Sequence, residues 1–144
     1  MVRIGHIVEV LGGWKILKRS VSTQDQLREA VRAGLPYASL VAVMGELGLA
    51  RTEAADAIHL PPRTVARRKK EQKLQADESD RLVRLARLAA QGADALGDKE
   101  KAATWLRRPN RALGGKIPLE LLDSDIGVRQ VEEVLGRIEH GVYS

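Results

Sequence analysis

Arg63, Arg67 and Lys70 stand at i, i+4 and i+7, a spacing that puts three cations on one face of a helix. Such a face can enter the major groove of duplex DNA, where Arg donates two hydrogen bonds to a guanine edge or one to a phosphate. Thr64 and Arg68 belong to the same short segment and complete the candidate DNA-reading set of Arg63, Thr64, Arg67, Arg68 and Lys70. Lys69, Lys70 and Lys73 suit phosphates, which position a protein on the duplex without reading its sequence.

A helix that reads DNA must be held at a fixed angle by a preceding one. A helix-turn-helix needs small residues at the crossing, an apolar plug in the turn and a buried residue on the second helix. A motif beginning at Arg51 supplies them: Ala54 and Ala55 for the close crossing, and Ile58, Leu60 and Val65 for the buried positions. The motif departs from the usual pattern in three places. His59 stands where a turn glycine is common, Arg68 occupies a position that is usually apolar, and Pro61-Pro62 doubles the proline, although Pro62 suits a helix start. A purely structural helical hairpin fits the same pattern.

No other constellation carries chemistry. The chain has no cysteine, which excludes a thiol nucleophile, a Cys-based zinc site and a disulfide framework. His6, His59 and His140 are far apart and none sits at metal-ligand spacing, so no metal is expected. Asp123 and Asp125 read as helix caps rather than as an acid–base pair. Gly114-Gly115 has no following Lys-Ser or Lys-Thr and is no phosphate loop. The expectation is a protein without cofactor that is not an enzyme.

Charge divides the chain. Residues 50–75 hold seven Lys or Arg against three acids, and residues 112–144 hold three against six. A basic middle and an acidic end suggest two surfaces with different partners; ordinary solvated helix faces produce the same asymmetry. With 144 residues the chain can bury a core without staples. No apolar run is long enough to span a bilayer, and Met1–His6 lacks the order of a secretion signal, so a cytoplasmic protein without membrane contact is expected.

The elements that must position these residues are helical. Ala, Leu, Arg, Glu and Gln dominate and β-branched alternation is scarce, which predicts an all-α fold. Glycine and proline punctuate it into a helix over 4–11, one opened by 22–25 and closed by Gly34, and one from Pro36 to Gly48. Thr52 is expected to cap a helix over 53–59, and the next runs from Pro62 or Arg63 toward Lys70. Asp77 or Ser79 is expected to open a longer helix, 80–96, with Leu82, Leu85, Leu88 and Ala89 on one side and Arg81, Arg84 and Arg87 on another. Those leucines serve either the chain's own core or a dimer interface. Beyond Gly97 the pattern predicts helices over 99–106, 119–123 and 128–139, with Trp105 as the main aromatic anchor and Gly127 relieving a turn. The division falls near Gly97, giving residues 1–96 with the helix-turn-helix at about 51–71, and residues 97–144, which can still pack together.

The order of Trp105-Leu106, Pro109-Asn110, Leu113-Gly114-Gly115, Pro118-Leu119, Gly127 and the ending Arg137-Ile138-Glu139-His140-Gly141-Val142-Tyr143-Ser144 resembles the Xre/MbcA/ParS antitoxins. Leu60–Arg68 and Glu78–Leu82 are similar to the helix-turn-helix half of the same family, and the resemblance runs from about Leu11 onward. It implies an Xre/Cro-like N-terminal region followed by a small helical toxin-binding domain. It also implies an antitoxin of a type II pair whose partner is a RES-domain toxin that consumes or uses NAD. The C-terminal segment of such antitoxins inserts toward the toxin's active site and blocks NAD access. The antitoxin, alone or in complex, represses its own operon by binding operator DNA. Here the inserted element would be Arg137, Glu139, His140, Gly141, Val142, Tyr143 and Ser144. Tyr143 can fill an apolar or nucleotide-base slot, and a carboxylate at Ser144, with Glu139, can pair with cations that otherwise hold NAD phosphates; simple fraying of the end is the alternative. A homodimer, and a larger assembly with the toxin, are expected because helix-turn-helix readers bind paired half-sites. The competing function is a stand-alone helix-turn-helix regulator.

Overall fold

A computed structural model describes residues 2–141. The elements in chain order are α1 (Ile4–Val10), α2 (Trp14–Leu17), α3 (Gln24–Ala33), α4 (Tyr37–Leu47), α5 (Arg51–Ala57), α6 (Pro62–Glu71), α7 (Ala76–Leu96), α8 (Lys99–Arg107) and α9 (Asp125–Glu139). Two 3-10 turns, Arg111–Leu113 and Pro118–Asp123, join α8 to α9. Among the described residues there is no strand, as the composition predicts; two isolated bridges, Pro36 with Lys73 and Asn110 with Lys116, are the extended pairings.

The fold is built around α7. Its 21 residues pack against α1, α3 and α4 on the N-terminal side and against α8 and α9 on the other. Leu82, Leu85, Ala86, Leu88 and Ala90 are fully enclosed, which a helix needs when neighbours cover more than one face. The leucines of this helix therefore belong to the chain's own core and are not free to form a dimer seam. One aliphatic cluster runs continuously from Ile7 to Leu135, so the two sides of Gly97 share a core.

Helix ends account for most differences from the sequence expectations. α7 starts four residues early because the Glu78 carboxylate turns back to accept the Gln75 N–H at 2.8 Å. Ser79 thereby becomes an interior residue, and its buried hydroxyl accepts the Leu35 N–H at 2.8 Å. α5 begins at Arg51, with Ala50 rather than Thr52 at the N-cap; Glu53 accepts the Ala50 N–H at 2.9 Å and so satisfies a helix-start donor from within the first turn. α9 begins at Asp125, where Ser124, between the two aspartates expected to cap, accepts the Gly127 N–H at 3.0 Å. The short helix α2 has no periodic signal in the sequence. Trp105 is half-buried at the edge of the aliphatic core rather than its anchor, while its neighbour Leu106 is enclosed.

Gly127 is required by proximity and not by turn geometry. It lies within the first turn of α9, and a Cβ there would overlap the Leu121 carbonyl oxygen and stand 2.8 Å from the Leu121 carbonyl carbon. Backbone cannot move aside as a flexible side chain does. Gly127→Ala is expected to lower stability by about 2 kcal/mol, within the range of core overpacking, read as a drop in the urea midpoint. Gly136→Ala is the control, because nothing lies within 4 Å of its added methyl.

Candidate nucleic-acid interface and carboxy-terminal segment

The pair α5–α6 has the geometry of a helix-turn-helix. Ala54 and Ala55 are buried at the crossing, Ile58 and Leu60 close the turn from inside, and Val65 is the buried residue of α6. The Leu60 N–H reaches back to the Ala55 carbonyl at 2.8 Å, and the Val65 N–H to the Pro61 carbonyl at 3.0 Å. His59 adopts φ +56°, the left-handed conformation that the common glycine would take without strain. Arg81 of α7 holds this turn: one guanidinium nitrogen donates to the Ile58 carbonyl at 2.8 Å and the His59 carbonyl at 3.2 Å, and another to Asp77 at 2.8 Å. Arg81 is thus a positioning residue for the motif, not part of a solvated basic edge. Its neighbour Arg84 likewise pairs with Asp80 at 2.9 Å.

The buried residues of α6, Val65 and Arg68, point to the interior, and the opposite face carries Arg63, Arg67 and Lys70, all exposed, with Thr64 at the flank. Arg68 does not join them. Its side chain is only 7% exposed and forms a fork with Glu78, Nε to Oε1 at 2.7 Å and Nη2 to Oε2 at 3.0 Å, while Nη1 reaches Glu71 at 2.9 Å. Each guanidinium nitrogen is bonded within the fold, so Arg68 leaves the candidate DNA-reading set. The unusual polarity at this position is explained by the partner: Glu78, also 7% exposed, matches it across the α6–α7 junction. Hydrogen bonding to Glu78 holds the Arg68 guanidinium above its ordinary pKa against the effect of burial. Burial alone would raise the Glu78 carboxyl; the Arg68 hydrogen bond, the Gln75 N–H and the Arg68 charge outweigh it and hold that carboxyl below its ordinary value.

A second strut joins the motif to the C-terminal side. Arg107, at the end of α8, donates to the Gly48 carbonyl and to Glu53 at 3.2 Å, the same carboxylate that caps α5. α5 also packs on the Pro118–Asp123 turn. The sequence signal is absent because the carbonyls that Arg81 and Arg107 hold lie 22 or more residues away, while Glu78 pairs across helices with Arg68, ten residues back, and starts α7 earlier than the pattern suggests.

At the other end of the fold, α9 buries Val128, Val131, Val134 and Leu135 and leaves Arg137, Glu139 and His140 exposed on its last turn. Gly141 comes next with φ +74° and donates to the Ile138 carbonyl at 3.1 Å, a left-handed exit that suits glycine. Of the segment expected to face a partner, Val142, Tyr143 and Ser144 lie outside the described residues. Among the described residues no group of three or more His, Asp or Glu is placed to hold a metal ion, and no helix is long and apolar enough to cross a membrane.

Comparison with known proteins matches both ends of this arrangement. Residues 26–87 match the antitoxin Xre-like helix-turn-helix domain, and residues 91–141 match the antitoxin Xre/MbcA/ParS C-terminal toxin-binding domain. The chain is 32% identical over 141 residues to Antitoxin Xre of Photorhabdus laumondii, covering 96% of this chain and 95% of that protein. It is 29% identical over 133 residues to Antitoxin Xre of Yersinia enterocolitica, covering 91% and 90%. Similarity extends to the Prs ADP-ribosylating antitoxin of a Sphingobium species, 28% identical over 124 residues and covering 79% and 78%.

Proposed function

The chain belongs to the Xre/MbcA/ParS antitoxins, and from that premise we propose that it neutralises a RES-domain toxin by closing the toxin's NAD site with its C-terminal segment, and that it represses its own operon through α6. It is an antitoxin of a toxin–antitoxin pair with a helix-turn-helix domain. The observation that carries the finer reading is the disposition of the two surfaces. The exposed Arg63, Arg67 and Lys70 face belongs to one matched domain, and the exposed last turn Arg137–Gly141 to the other, with α7 joining them.

Neutralisation requires the segment from Arg137 onward to enter a cleft while α9 stays packed. α9 allows this: its buried residues end at Leu135, so a partner can engage the last turn without unfolding the helix. A segment that carries the Glu139 carboxylate and the Tyr143 ring complements a site that holds dinucleotide phosphates with cations and a base in an apolar slot. The relative named as an ADP-ribosylating antitoxin fits a partner chemistry that handles NAD. The test is direct: NAD loss catalysed by a purified RES-domain toxin encoded beside this gene is expected to stop at stoichiometric antitoxin. Undiminished NAD loss in a stable complex would show that the chain binds elsewhere.

For the DNA surface, Arg63→Ala with Arg67→Ala is expected to weaken binding to the duplex upstream of the gene by roughly tenfold per residue, as removal of one good Arg–base pairing does. Fluorescence anisotropy against that duplex and a scrambled one measures it. Unchanged affinity would mean that α6 is not the reader. A twofold-symmetric dimer on paired half-sites is the arrangement this motif calls for; its seam lies away from the leucines of α7.

A further inference from the structure

Beyond the end of α6 the surface continues as a cleft that neither function above uses. Lys15 and Lys18 of the α2 segment form one wall and Gln72 and Lys73 the other, with Gly34 and Pro36 between, around a volume of about 510 Å³. The walls are fixed by backbone. The Leu74 N–H donates to the Leu35 carbonyl at 2.8 Å, the Tyr37 N–H to the Gln72 carbonyl at 3.1 Å, and Pro36 pairs with Lys73. Gly34 leaves no room for a side chain: an added Cβ would stand 2.9 Å from Lys73 Cε and closer still to the Leu74 carbonyl oxygen. The Lys73 stem passes over Gly34. Opposite, Lys18 is held in the left-handed conformation (φ +56°) by its N–H bond to the Trp14 carbonyl at 2.7 Å.

The charges here are uncompensated. Lys15, Lys18 and Lys73 are exposed, and no described carboxylate pairs with any of them. The acid that also lines the cleft, Glu71, is paired with Arg68. Trp14, 71% exposed, stands beside Lys18 and Arg19. Lysines held apart from their own acids are point charges suited to phosphates rather than to base edges. Lys73 follows Lys70 by three residues, just past the left-handed Gln72 that ends α6, so the cleft begins where the helix bearing the basic face stops.

We infer that this cleft is a second DNA contact, a strip that holds the phosphodiester backbone flanking the site read by α6. The inference rests on the reading of α6 as facing duplex DNA. The strip contributes affinity and register but no base preference, because it meets phosphates only.

The test uses the full chain carrying Lys15→Gln, Lys18→Gln and Lys73→Gln, titrated with the duplex upstream of its gene and with a scrambled duplex of equal length, across a salt series. Affinity is expected to fall about tenfold for both duplexes alike. The slope of log K against log salt is expected to become shallower by about 0.9 for each phosphate no longer neutralised, and the ratio between the two duplexes to stay unchanged. The matching Lys→Arg triple variant is expected to retain the slope, which separates charge from folding; equal melting temperatures check the latter. With Trp105→Phe, Trp14 is the remaining tryptophan of the chain, and its emission is expected to change when either duplex binds. If the Gln triple variant keeps its affinity and slope while the Arg63/Arg67 variant loses the sequence preference, the strip is wrong and the α6 reading stands. If the wild-type chain binds neither duplex, both fall. If the Gln triple variant binds DNA normally but no longer captures the cognate toxin, the cleft is a protein-facing surface and the inference is overturned.

Discussion

Glu78→Ala is expected to destabilise the chain by about 3–5 kcal/mol, because it strands the Arg68 guanidinium in the interior without its partner; breaking one side of a buried ion pair costs far more than the pair itself contributes. Both side chains are almost wholly enclosed, and Glu78 also accepts the Gln75 N–H that starts α7, so the same substitution frays the central helix. For a domain of marginal stability, a loss of that size is a large fraction of the total. Replacing both residues, as Arg68→Leu with Glu78→Leu, is expected to recover most of the loss, since an apolar pair of suitable volume often matches an ion pair in the interior. Urea unfolding of the three proteins measures this directly. A Glu78→Ala midpoint within experimental error of wild type would show that the fork contributes nothing. The double variant also tests the exclusion of Arg68 from the DNA surface: once stability is restored, affinity for the upstream duplex is expected to be that of wild type.

The pair also sets a pH dependence. The Glu78 carboxyl is held below its ordinary value of 4.5 in the folded chain. The unfolded chain therefore takes up this proton first as pH falls. The contribution is complete above about pH 4.5 and is lost as the pH drops through the folded-state value. Arg68 is shifted upward, so its own contribution is fully present across the neutral and acidic range. Glu78→Gln is expected to flatten the acid limb of the stability curve while leaving its alkaline limb unaltered.

The second large effect concerns the C-terminal segment. Ending the chain after His140 is expected to leave the melting temperature nearly unchanged and to abolish neutralisation of the toxin. The two readouts separate because the core contribution of α9 ends at Leu135, with Ile138 packed against its edge, all ahead of the cut. The removed residues include Tyr143, the aromatic group proposed to enter the toxin's site, and truncating a hot-spot aromatic costs about 2 kcal/mol or more. That corresponds to roughly thirtyfold in affinity for one residue alone, and removal of the whole segment is expected to exceed about a hundredfold. NAD consumption by the toxin, titrated with the shortened antitoxin, is the measurement. Full protection by the shortened chain would place the blocking element elsewhere.

How far the sequence carries the fold depends on where each residue's partner lies. The α5–α6 motif is legible because its determinants are local: Ala54, Ala55, Ile58, Leu60 and Val65 fall at the crossing, turn and buried positions of one short segment, and all are buried. The opening of α3 within residues 22–25 is legible for the same reason, since Thr23 accepts an N–H three residues on. Arg68 misleads because its charge belongs to an interior pair whose other half is ten residues away, on another helix. Arg81 and Arg107 bond backbone carbonyls 22 and 59 residues distant, which no local pattern announces. Gly127 stands out in the sequence, but its reason, the approach of the Leu121 carbonyl, exists only once the 3-10 turn and α9 are folded together. The leucines of α7 have the right periodicity for a core or a seam, and only the neighbours α1, α3, α4, α8 and α9 decide between them.

α7 has a consequence for how such proteins can be recombined. Both family domains draw on it: the helix-turn-helix match ends within it at residue 87, and the toxin-binding match begins within it at residue 91. Because its interior faces two sets of helices at once, a hybrid that joins the DNA-reading half of one antitoxin to the inhibitory half of another inherits mismatched packing on one side of the splice, wherever the cut is made in that helix. On the assignment proposed above, exchange of specificity is therefore expected to be easier by surface substitution, at Arg63 and Arg67 or beyond Arg137, than by swapping halves. Operator choice and toxin choice can then drift independently on a shared scaffold whose interior must change in concert.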